Sequence, residues 1–170
     1  SMAIGGVYDH VGGGFHRYAV DKDWTVPHFE KMLYDNGQLA SIYADVYART
    51  DDPFYAEVVR GILNYVLREM TAEDGAFFSA QDAEVNAREG ESYIWRPAEI
   101  RAALAEGDRL EDVDLVLDVY GLSKGANFRD PHHKEAPPTN VLRFTDRPKA
   151  IATAHGMDRD EFLARMAKVN

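Results

Sequence analysis

The stretch "PHFEKMLYDNGQLASIYADVYARTDDPFYAEVVRGILNYVLREM", residues 27–70, decides the fold class. Its apolar residues recur at the i, i+3, i+4 and i+7 spacing of a buried helical stripe, first over 27–50 and again from Pro53 onward. Asp52 is the predicted N-cap of the second helix, because proline suits a first helical position. Only a few residues separate the stripes, so the sequence predicts an antiparallel helical hairpin with Leu63 fully buried in it.

Three shorter helices and one long loop are predicted further along the chain. The helices are expected from Pro97, over residues 111–120, and from Asp158 or just after it to about Lys168. The loop, residues 123–149, is rich in glycine, proline and charge. The chain is therefore expected to be mainly α.

Composition excludes several classes of protein. The 170 residues, 45% hydrophobic and 28% charged, are typical of one globular domain. A net charge of −10 argues against a nucleic-acid or anionic-membrane partner. No stretch approaches the ~18 apolar residues of a membrane span, and none resembles a signal peptide. The sequence has no cysteine, hence no disulfide or thiolate site. We expect a cytoplasmic protein.

Two loops repeat a short pattern. "GGGFHRYAVDKDW" (12–24) and "DGAFFSAQDAEVN" (74–86) both place glycine before an aromatic residue, and the helical hairpin lies between them. Such repetition predicts stacked hairpins whose connecting loops gather on one face, as in a ring of hairpins. The loops 12–28 and 79–93 are therefore expected at the same end of the helices.

The second loop carries carboxylates beside aromatic residues. Aromatic rings such as Tyr93 and Trp95 give sugars an apolar platform, while carboxylates bind hydroxyls or act as general acid and base. Asp82 is the catalytic candidate, and Glu89, Tyr93 and Trp95 are substrate-binding candidates; glycoside hydrolysis needs two carboxylates. The alternative is a plain β-hairpin of "AFFSA" against "ESYIW" with a solvated acidic loop between its strands.

The first loop adds a histidine and several polar or aromatic side chains. His28 titrates near neutral pH and is the second catalytic candidate, because it could relay protons next to a sugar carbonyl. Arg17 could bind a carboxylate or another anion in a bidentate manner. Trp24, Tyr34 and Asp35 are the other substrate-binding candidates of this region. The alternative is that His28 and Asp35 only join the loop to the helix, while Trp24 and Tyr34 pack.

Metal and cofactor sites have little support in the sequence. Asp9, His10 and His16 lie close together in "YDHVGGGFHRY", but their spacing matches no established ligand motif. The glycines 12–14 are expected to form a tight turn or to let the backbone approach a ligand. We therefore predict no metal and no cofactor.

"GGVYDHVGGGFHRYAVDKDWTVPHFEKMLYDN", "GAFFSAQDAE" and "EGESYIW" closely resemble the spermatogenesis-associated thioredoxin-domain family. In that family a thioredoxin-like domain precedes an α/α toroid, which is similar to six-hairpin glycosidases and N-acylglucosamine 2-epimerases. The resemblance implies that residues 1–170 form a single domain, a fragment of such a toroid of antiparallel helical hairpins with a small β-hairpin. On this resemblance, the fragment is expected to lack the thioredoxin-like part and about half of the hairpins.

Two functions remain open at this point. The first is a carbohydrate-active domain that binds a sugar and, in the complete protein, isomerises, epimerises or hydrolyses it. The second is a non-catalytic scaffold that presents clients to the thioredoxin-like domain of the same protein. Under both, the isolated fragment should be inactive, and it should either self-associate through helix faces that it leaves uncovered or have poorly ordered ends.

Overall fold

The computed structural model describes residues 1–169, and its regular structure is mainly helical. The helices of this part are α1 (Leu33–Thr50), α2 (Pro53–Glu69), α3 (Pro97–Glu106), α4 (Val113–Val119), α5 (Pro148–Ala154) and α6 (Arg159–Val169). Short strands form four antiparallel pairs: β1 (Tyr18–Ala19) with β2 (Pro27–His28), β3 (Lys31–Met32) with β4 (Ala80–Gln81), β5 (Glu84–Val85) with β6 (Arg88–Glu89), and β7 (Ile94–Trp95) with β8 (Asn140–Val141). Across residues 1–169, no helix has the length and apolar character needed to cross a membrane.

The predicted helical hairpin is confirmed, and local chemistry explains its sharp turn. Helices α1 and α2 pack against each other along their lengths. Asp51 ends α1 in the left-handed conformation, with φ 51°. Asp52 then caps α2, because its Oδ1 accepts a hydrogen bond of 3.0 Å from the backbone N–H of Phe54. Pro53 occupies the first turn, where its missing N–H costs no helical hydrogen bond.

The predicted start of the first helix at Pro27 is wrong. Helix α1 begins at Leu33, and the preceding residues are extended: Pro27 pairs with Ala19, and Lys31 with Gln81. From Pro27 to Lys31 every second residue is buried, which is the period of a strand and not of a helix. The ring of Phe29 accordingly lies in a small core beside the strands and not in the helical stripe.

The predicted hairpin of "AFFSA" against "ESYIW" is also wrong. The two segments pair elsewhere, β4 with β3 and β7 with β8, and the hairpin formed is β5–β6. Its two-residue turn, Asn86 and Ala87, has φ 55° and 61°, the left-handed pair that joins twisted strands most tightly. Phe77 and Phe78, assigned to a strand in the prediction, are more than half exposed.

The predicted burial of Leu63 is contradicted. Its side chain is 50% exposed, whereas the neighbouring Ile62 is completely buried against Phe15 and Val58. Helix α2 therefore buries one narrow face, and the stripe predicted from the sequence is too wide. The apolar residues on its other face lie on the surface.

The C-terminal helices enclose the largest core. Helix α3 begins at Pro97 as predicted, and the Glu99 carboxylate accepts a 2.7 Å hydrogen bond from the backbone N–H of Arg96 before it. Helix α4 falls within the predicted range 111–120, and α6 begins one residue after Asp158. Helix α5 was not predicted, and strand β8 interrupts the predicted loop 123–149.

Candidate functional site

The two loops that repeat a pattern in the sequence meet at one end of the α1–α2 hairpin. Strand β3 follows the first loop and pairs with β4 of the second, in the register Lys31 with Gln81. The His28 ring also bridges the loops, since its Nδ1 lies 2.8 Å from Oε1 of Glu89. The expectation that loops 12–28 and 79–93 share one end is therefore confirmed.

Glycines allow the first loop to approach helix α2 closely. Gly13 and Gly14 both have φ 78°, a conformation that other residues rarely adopt. A Cβ atom on Gly13 would lie 2.3 Å from the carbonyl oxygen of Gly61, and one on Gly14 would lie 2.5 Å from Cδ1 of Tyr65. Asp9 closes the turn, because its Oδ1 accepts hydrogen bonds from the backbone N–H groups of residues 11 and 12. The triple glycine is thus a close-approach motif.

Asn36 and His16 fix the first loop through side-chain hydrogen bonds to the backbone. The Asn36 side chain accepts a 2.7 Å hydrogen bond from the Phe15 N–H and donates one of 3.0 Å back to the Phe15 carbonyl. His16 Nδ1 lies 2.9 Å from the carbonyl oxygen of Phe29, so that nitrogen carries the proton and donates it. Burial lowers the pKa of His16 to about 3, and the ring is therefore neutral at pH 7.

A buried lysine stands at the centre of this arrangement. Lys31 is 1% exposed, and its Nζ donates to Asp9 Oδ2 at 2.7 Å and to the Gly13 carbonyl at 2.9 Å. The same nitrogen lies over the ring faces of Tyr65 and Tyr93, 4.3 Å and 4.8 Å from their centroids. One ammonium group therefore joins the glycine loop, helix α2 and the second loop.

The charges of this cluster support one another. Burial alone would raise the pKa of the Asp9 carboxyl, but the Lys31 ammonium outweighs it and holds the pKa below the usual range. Burial also lowers the pKa of Lys31, and the Asp9 carboxylate opposes that effect. Because the two groups are 2.7 Å apart, we assign them as an ion pair near neutral pH. Burial raises the pKa of Tyr93 to about 12, so its hydroxyl stays protonated.

A cavity of about 230 Å³, termed here the Lys31 cavity, opens above this cluster. Its wall contains both aromatic and polar side chains. The lining residues are Asp9, Val11, Gly12, Lys31, Tyr65, Arg68, Glu69, Gln81, Ser92, Tyr93 and Trp95. Gln81 orients two of the rings, because its Oε1 accepts from the hydroxyls of Tyr65 at 2.8 Å and Tyr93 at 3.3 Å. Arg68 donates to the Gly12 carbonyl at 2.6 Å and pairs with Glu69 at the rim.

The site residues predicted from the sequence do not form one cluster in the structure. Tyr93 and Trp95 line the Lys31 cavity. His28 and Glu89 lie outside it, half-buried, and His28 stacks on Tyr18 with a 5.1 Å separation of the ring centroids. Asp82 is exposed and outside the lining, and its Oδ1 accepts from the backbone N–H of Glu84 two residues later.

The remaining candidates lie near His28 or apart from both places. Arg17 donates to Glu30 Oε2 at 3.0 Å, and this carboxylate lies 3.8 Å from His28 Nε2. Tyr34 is half exposed at the start of α1. Asp35 Oδ2 is buried without a hydrogen-bond partner among residues 1–169, and burial raises the pKa of that carboxyl. Trp24 has φ 60° and lies in the β1–β2 turn, away from the Lys31 cavity.

Sequence reasoning missed the polar centre of the site. Lys31, Tyr65 and Gln81 were not among the candidates, and Asp9 was considered only as a metal ligand. A local signal existed for Lys31: with an extended backbone, it shares a face with Phe29 two residues earlier. No local signal marks Asp9 as its partner. Across residues 1–169, no cluster of three or more histidine, aspartate or glutamate side chains is arranged to hold a metal ion.

Comparison with known proteins gives relatives, all much longer than this chain. No protein-family model matches. The chain is 37% identical over 170 residues to spermatogenesis-associated protein 20 of Rattus norvegicus, covering 92% of this chain and 22% of that protein. The human protein of that name is 39% identical over 171 residues, with 92% and 22% covered. An uncharacterised protein of Caenorhabditis elegans is 36% identical over 171 residues, with 91% and 23% covered. The chain thus spans about a fifth of the length of the curated relatives it matches.

Proposed function

We propose that this chain is part of a carbohydrate-active α/α toroid and that the Lys31 cavity binds a single sugar ring. The lining of the cavity carries the proposal: the aromatic residues Tyr93 and Trp95 occur there together with the hydrogen-bonding residues Gln81, Ser92 and Arg68. Sugars present both apolar C–H faces and hydroxyl edges, so they require this combination in a binding site. The cavity volume of about 230 Å³ suits one ring better than a chain of rings.

We propose that the mainly helical fold of this chain is part of an α/α toroid. The α1–α2 hairpin and the meeting of its flanking loops at one end support it, because a ring of hairpins places such loops around a central cavity. We propose that residues 1–170 form a single domain within this ring, in which 123–149 is largely a connecting loop. In a protein as long as the relatives, the remaining hairpins of the ring would come from the rest of the sequence.

Sugar binding and isomerisation suit the cavity better than glycoside hydrolysis does. Hydrolysis needs one protonated carboxyl group as general acid. Asp9 is the buried carboxylate of the cavity, and Lys31 keeps it ionised. For the complete protein we propose His28, oriented by Glu89, as the proton-relay group and Asp82 as a second functional carboxylate. Because neither residue lines the Lys31 cavity, both roles require a substrate that extends beyond the cavity or a wall completed by the rest of the protein. The isolated chain, which has only part of the wall, should be inactive.

Trp95 allows a direct test of sugar binding. The chain has two tryptophans, so Trp24→Phe leaves Trp95 in the cavity wall as the only indole emitter. In this variant, titration with neutral mono- and disaccharides at millimolar concentration should change the emission with at least one monosaccharide. Saturation-transfer NMR should report the same sugar. No response to any sugar would overturn the proposal.

A matched pair of variants locates the binding. Tyr93→Leu removes a ring from the cavity wall and should weaken sugar binding about tenfold, a typical loss for an aromatic platform. Phe77→Leu removes an aromatic ring that is 56% exposed and does not line the cavity, and should leave binding unchanged. Equal losses in both variants would place the sugar elsewhere. Phe77→Leu should keep the parent melting temperature within a few degrees, whereas Tyr93→Leu also removes ring contacts with Lys31 and Phe29 and should lower it. Binding is therefore compared well below both melting temperatures.

A second candidate function is the non-catalytic scaffold. The observation that favours it is the apolar surface of the helical hairpin: Ile42 is 55%, Leu63 50% and Leu67 67% exposed. In the complete protein we propose that this surface docks the thioredoxin-like domain, and that in the isolated chain it mediates self-association. Light scattering should then detect a dimer that Leu63→Ser with Leu67→Ser converts to a monomer. A monomer before substitution would contradict this function. A cytoplasmic location belongs to both proposals.

A further inference from the structure

A second cavity, of about 480 Å³, lies between the α1–α2 turn, the N-terminal residues and the starts of α5 and α6. It shares no lining residue with the Lys31 cavity. Its volume lies in the range of small-molecule sites, roughly 300–1,000 Å³. We term it the basic cavity, because of the side chains that line it.

The basic cavity is positively charged in a strongly acidic chain. Arg147, Lys149 and Arg159 line it, although the whole chain has a net charge of −10. Asp52 is the acidic side chain of the lining, and it lies 2.9 Å from the Arg159 guanidinium and also caps helix α2. Asp160 approaches the same guanidinium to 3.6 Å. Arg159 is thereby neutralised.

Two cations remain for a ligand. Within residues 1–169 no carboxylate lies within ion-pair distance of the side chains of Arg147 or Lys149, and both residues are exposed. They flank Pro148 at the start of α5, so one short segment holds both at the cavity. A guanidinium and an ammonium group that line the same cavity can provide donors for the oxygens of a phosphate group.

Three further residues of the lining are aromatic. Tyr43, Phe54 and Tyr55 belong to α1 and α2. The rings of Tyr43 and Tyr55 stack with centroids 6.0 Å apart, and Phe54 lies edge-on to Tyr55 at 5.5 Å. Tyr43 also stacks on Phe15, at 5.6 Å, whereas Tyr55 is only partly buried, so the Tyr55 ring is the apolar surface against which a planar ring of a ligand can stack.

We propose that the basic cavity binds a phosphate ester of a planar ring compound, of about the size of a mononucleotide. Arg147 and Lys149 hold the phosphate, and the planar ring stacks against Tyr55, which Tyr43 and Phe54 support. This site is independent of the sugar site proposed above, since the two cavities have separate linings.

Calorimetric titration of the 170-residue chain with adenosine 5′-monophosphate, adenosine and inorganic phosphate tests the proposal. The nucleotide should bind at least about tenfold more tightly than either of its parts, because only the nucleotide engages both the cations and the rings. Its affinity should fall as salt is raised, since exposed charges are screened. Failure of the nucleotide to bind, or phosphate alone binding equally well, would overturn the proposal.

Two variants of equal charge identify the site. The double change Arg147→Ala with Lys149→Ala should weaken nucleotide binding at least about tenfold, as expected for lost charge-assisted hydrogen bonds. The double change Arg101→Ala with Lys124→Ala removes the same charges from exposed positions outside this cavity and should leave binding unchanged. Equal weakening in both would indicate a general charge effect and contradict the proposal.

A third variant tests the aromatic part without removing charge. Tyr55→Leu keeps an apolar side chain in α2 but removes the ring that contacts both Tyr43 and Phe54. It should lower the affinity for the nucleotide severalfold and leave the weak affinity for inorganic phosphate unchanged. An unchanged affinity for the nucleotide would overturn the stacking arrangement. Circular dichroism melts of each variant establish that it is folded.

Discussion

The loop region around Lys31 and the outer face of helix α2 lie next to each other but are stabilised in different ways. In the loop region polar groups are buried and bonded: Lys31 is 1% exposed and has two hydrogen bonds and two ring contacts. On α2, Ile62 is fully buried, whereas Leu63 beside it is 50% exposed and lies on the surface. In the loop region, specific polar pairs fix the irregular backbone. Helix α2 forms its own backbone hydrogen bonds, so one narrow apolar face is enough to attach it to the core.

The difference has a consequence for tolerance to mutation. A buried ion pair loses much more when one partner is removed than an apolar contact of the same size, because the other charge stays buried and unpaired. Substitution of an exposed leucine changes the free energy of unfolding little, whether it raises or lowers it. The loop region should therefore be sensitive at single polar atoms, and α2 should be sensitive only on the face that touches Phe15.

The largest expected effect is on the free energy of unfolding of Lys31→Met. The change leaves Asp9 buried and unpaired, which should cost ~3–5 kcal/mol in denaturant unfolding. Lys22→Met, at an exposed lysine, is the control and should cost less than ~0.5 kcal/mol. Asp9→Asn combined with Lys31→Met should recover part of the loss, because the unpaired charge is gone. A loss below ~1 kcal/mol for Lys31→Met would remove the contrast between the two regions.

Helix α2 offers a sharper comparison between two adjacent residues. Ile62→Ala removes a side chain with no exposed surface and should destabilise the protein by ~2–5 kcal/mol. Leu63→Ala removes a half-exposed side chain and should cost less than ~1 kcal/mol. Denaturant melts of the two variants under one condition measure the difference. Similar losses would mean that the outer face of α2 is covered, for instance by a second copy of the chain.

The parts of the fold that were predictable from the sequence depend on neighbours in the chain. Asp52 and Pro53 predict the start of α2, and Pro97 predicts the start of α3, because capping acts within one helical turn. Apolar spacing likewise gave the helical hairpin, but not which half of a wide stripe is buried. That choice depends on which other elements pack against α2, and periodicity contains no information about them.

The parts that were not predictable depend on distant residues. The contact of Lys31 with Asp9 spans 22 positions and that of His28 with Glu89 spans 61. The pairing of β3 with β4, across the whole helical hairpin, turned a predicted helix start into a strand. Of the candidate site residues, Tyr93 and Trp95 line the Lys31 cavity, whereas the catalytic roles of Asp82 and His28 stay predictions.

An effect confined to acid pH is expected from His10, through its contribution to the pH dependence of stability. This ring is buried in the loop region, with Nε2 donating to the Gly5 carbonyl at 3.1 Å, and burial lowers its pKa to about 4. The unfolded chain binds a proton near pH 6.5 and the folded chain only near pH 4, so stability is complete above pH ~6.5 and decreases as the pH falls. The expected slope is about 1.4 kcal/mol per pH unit over this interval.

His10→Gln isolates that contribution, because glutamine keeps a side-chain donor for the Gly5 carbonyl but does not titrate. Denaturant melts at several values between pH 6.5 and pH 4 should show that the slope of the unfolding free energy falls by about 1.4 kcal/mol per pH unit in the variant. Part of the slope should remain, since burial also lowers the pKa of His16, to about 3. Above pH ~7 the two proteins should differ by a constant amount only. An unchanged acid slope would mean that His10 is already protonated in the folded chain. In that case buried polar groups would not distinguish the stability of the loop region from that of the helix face.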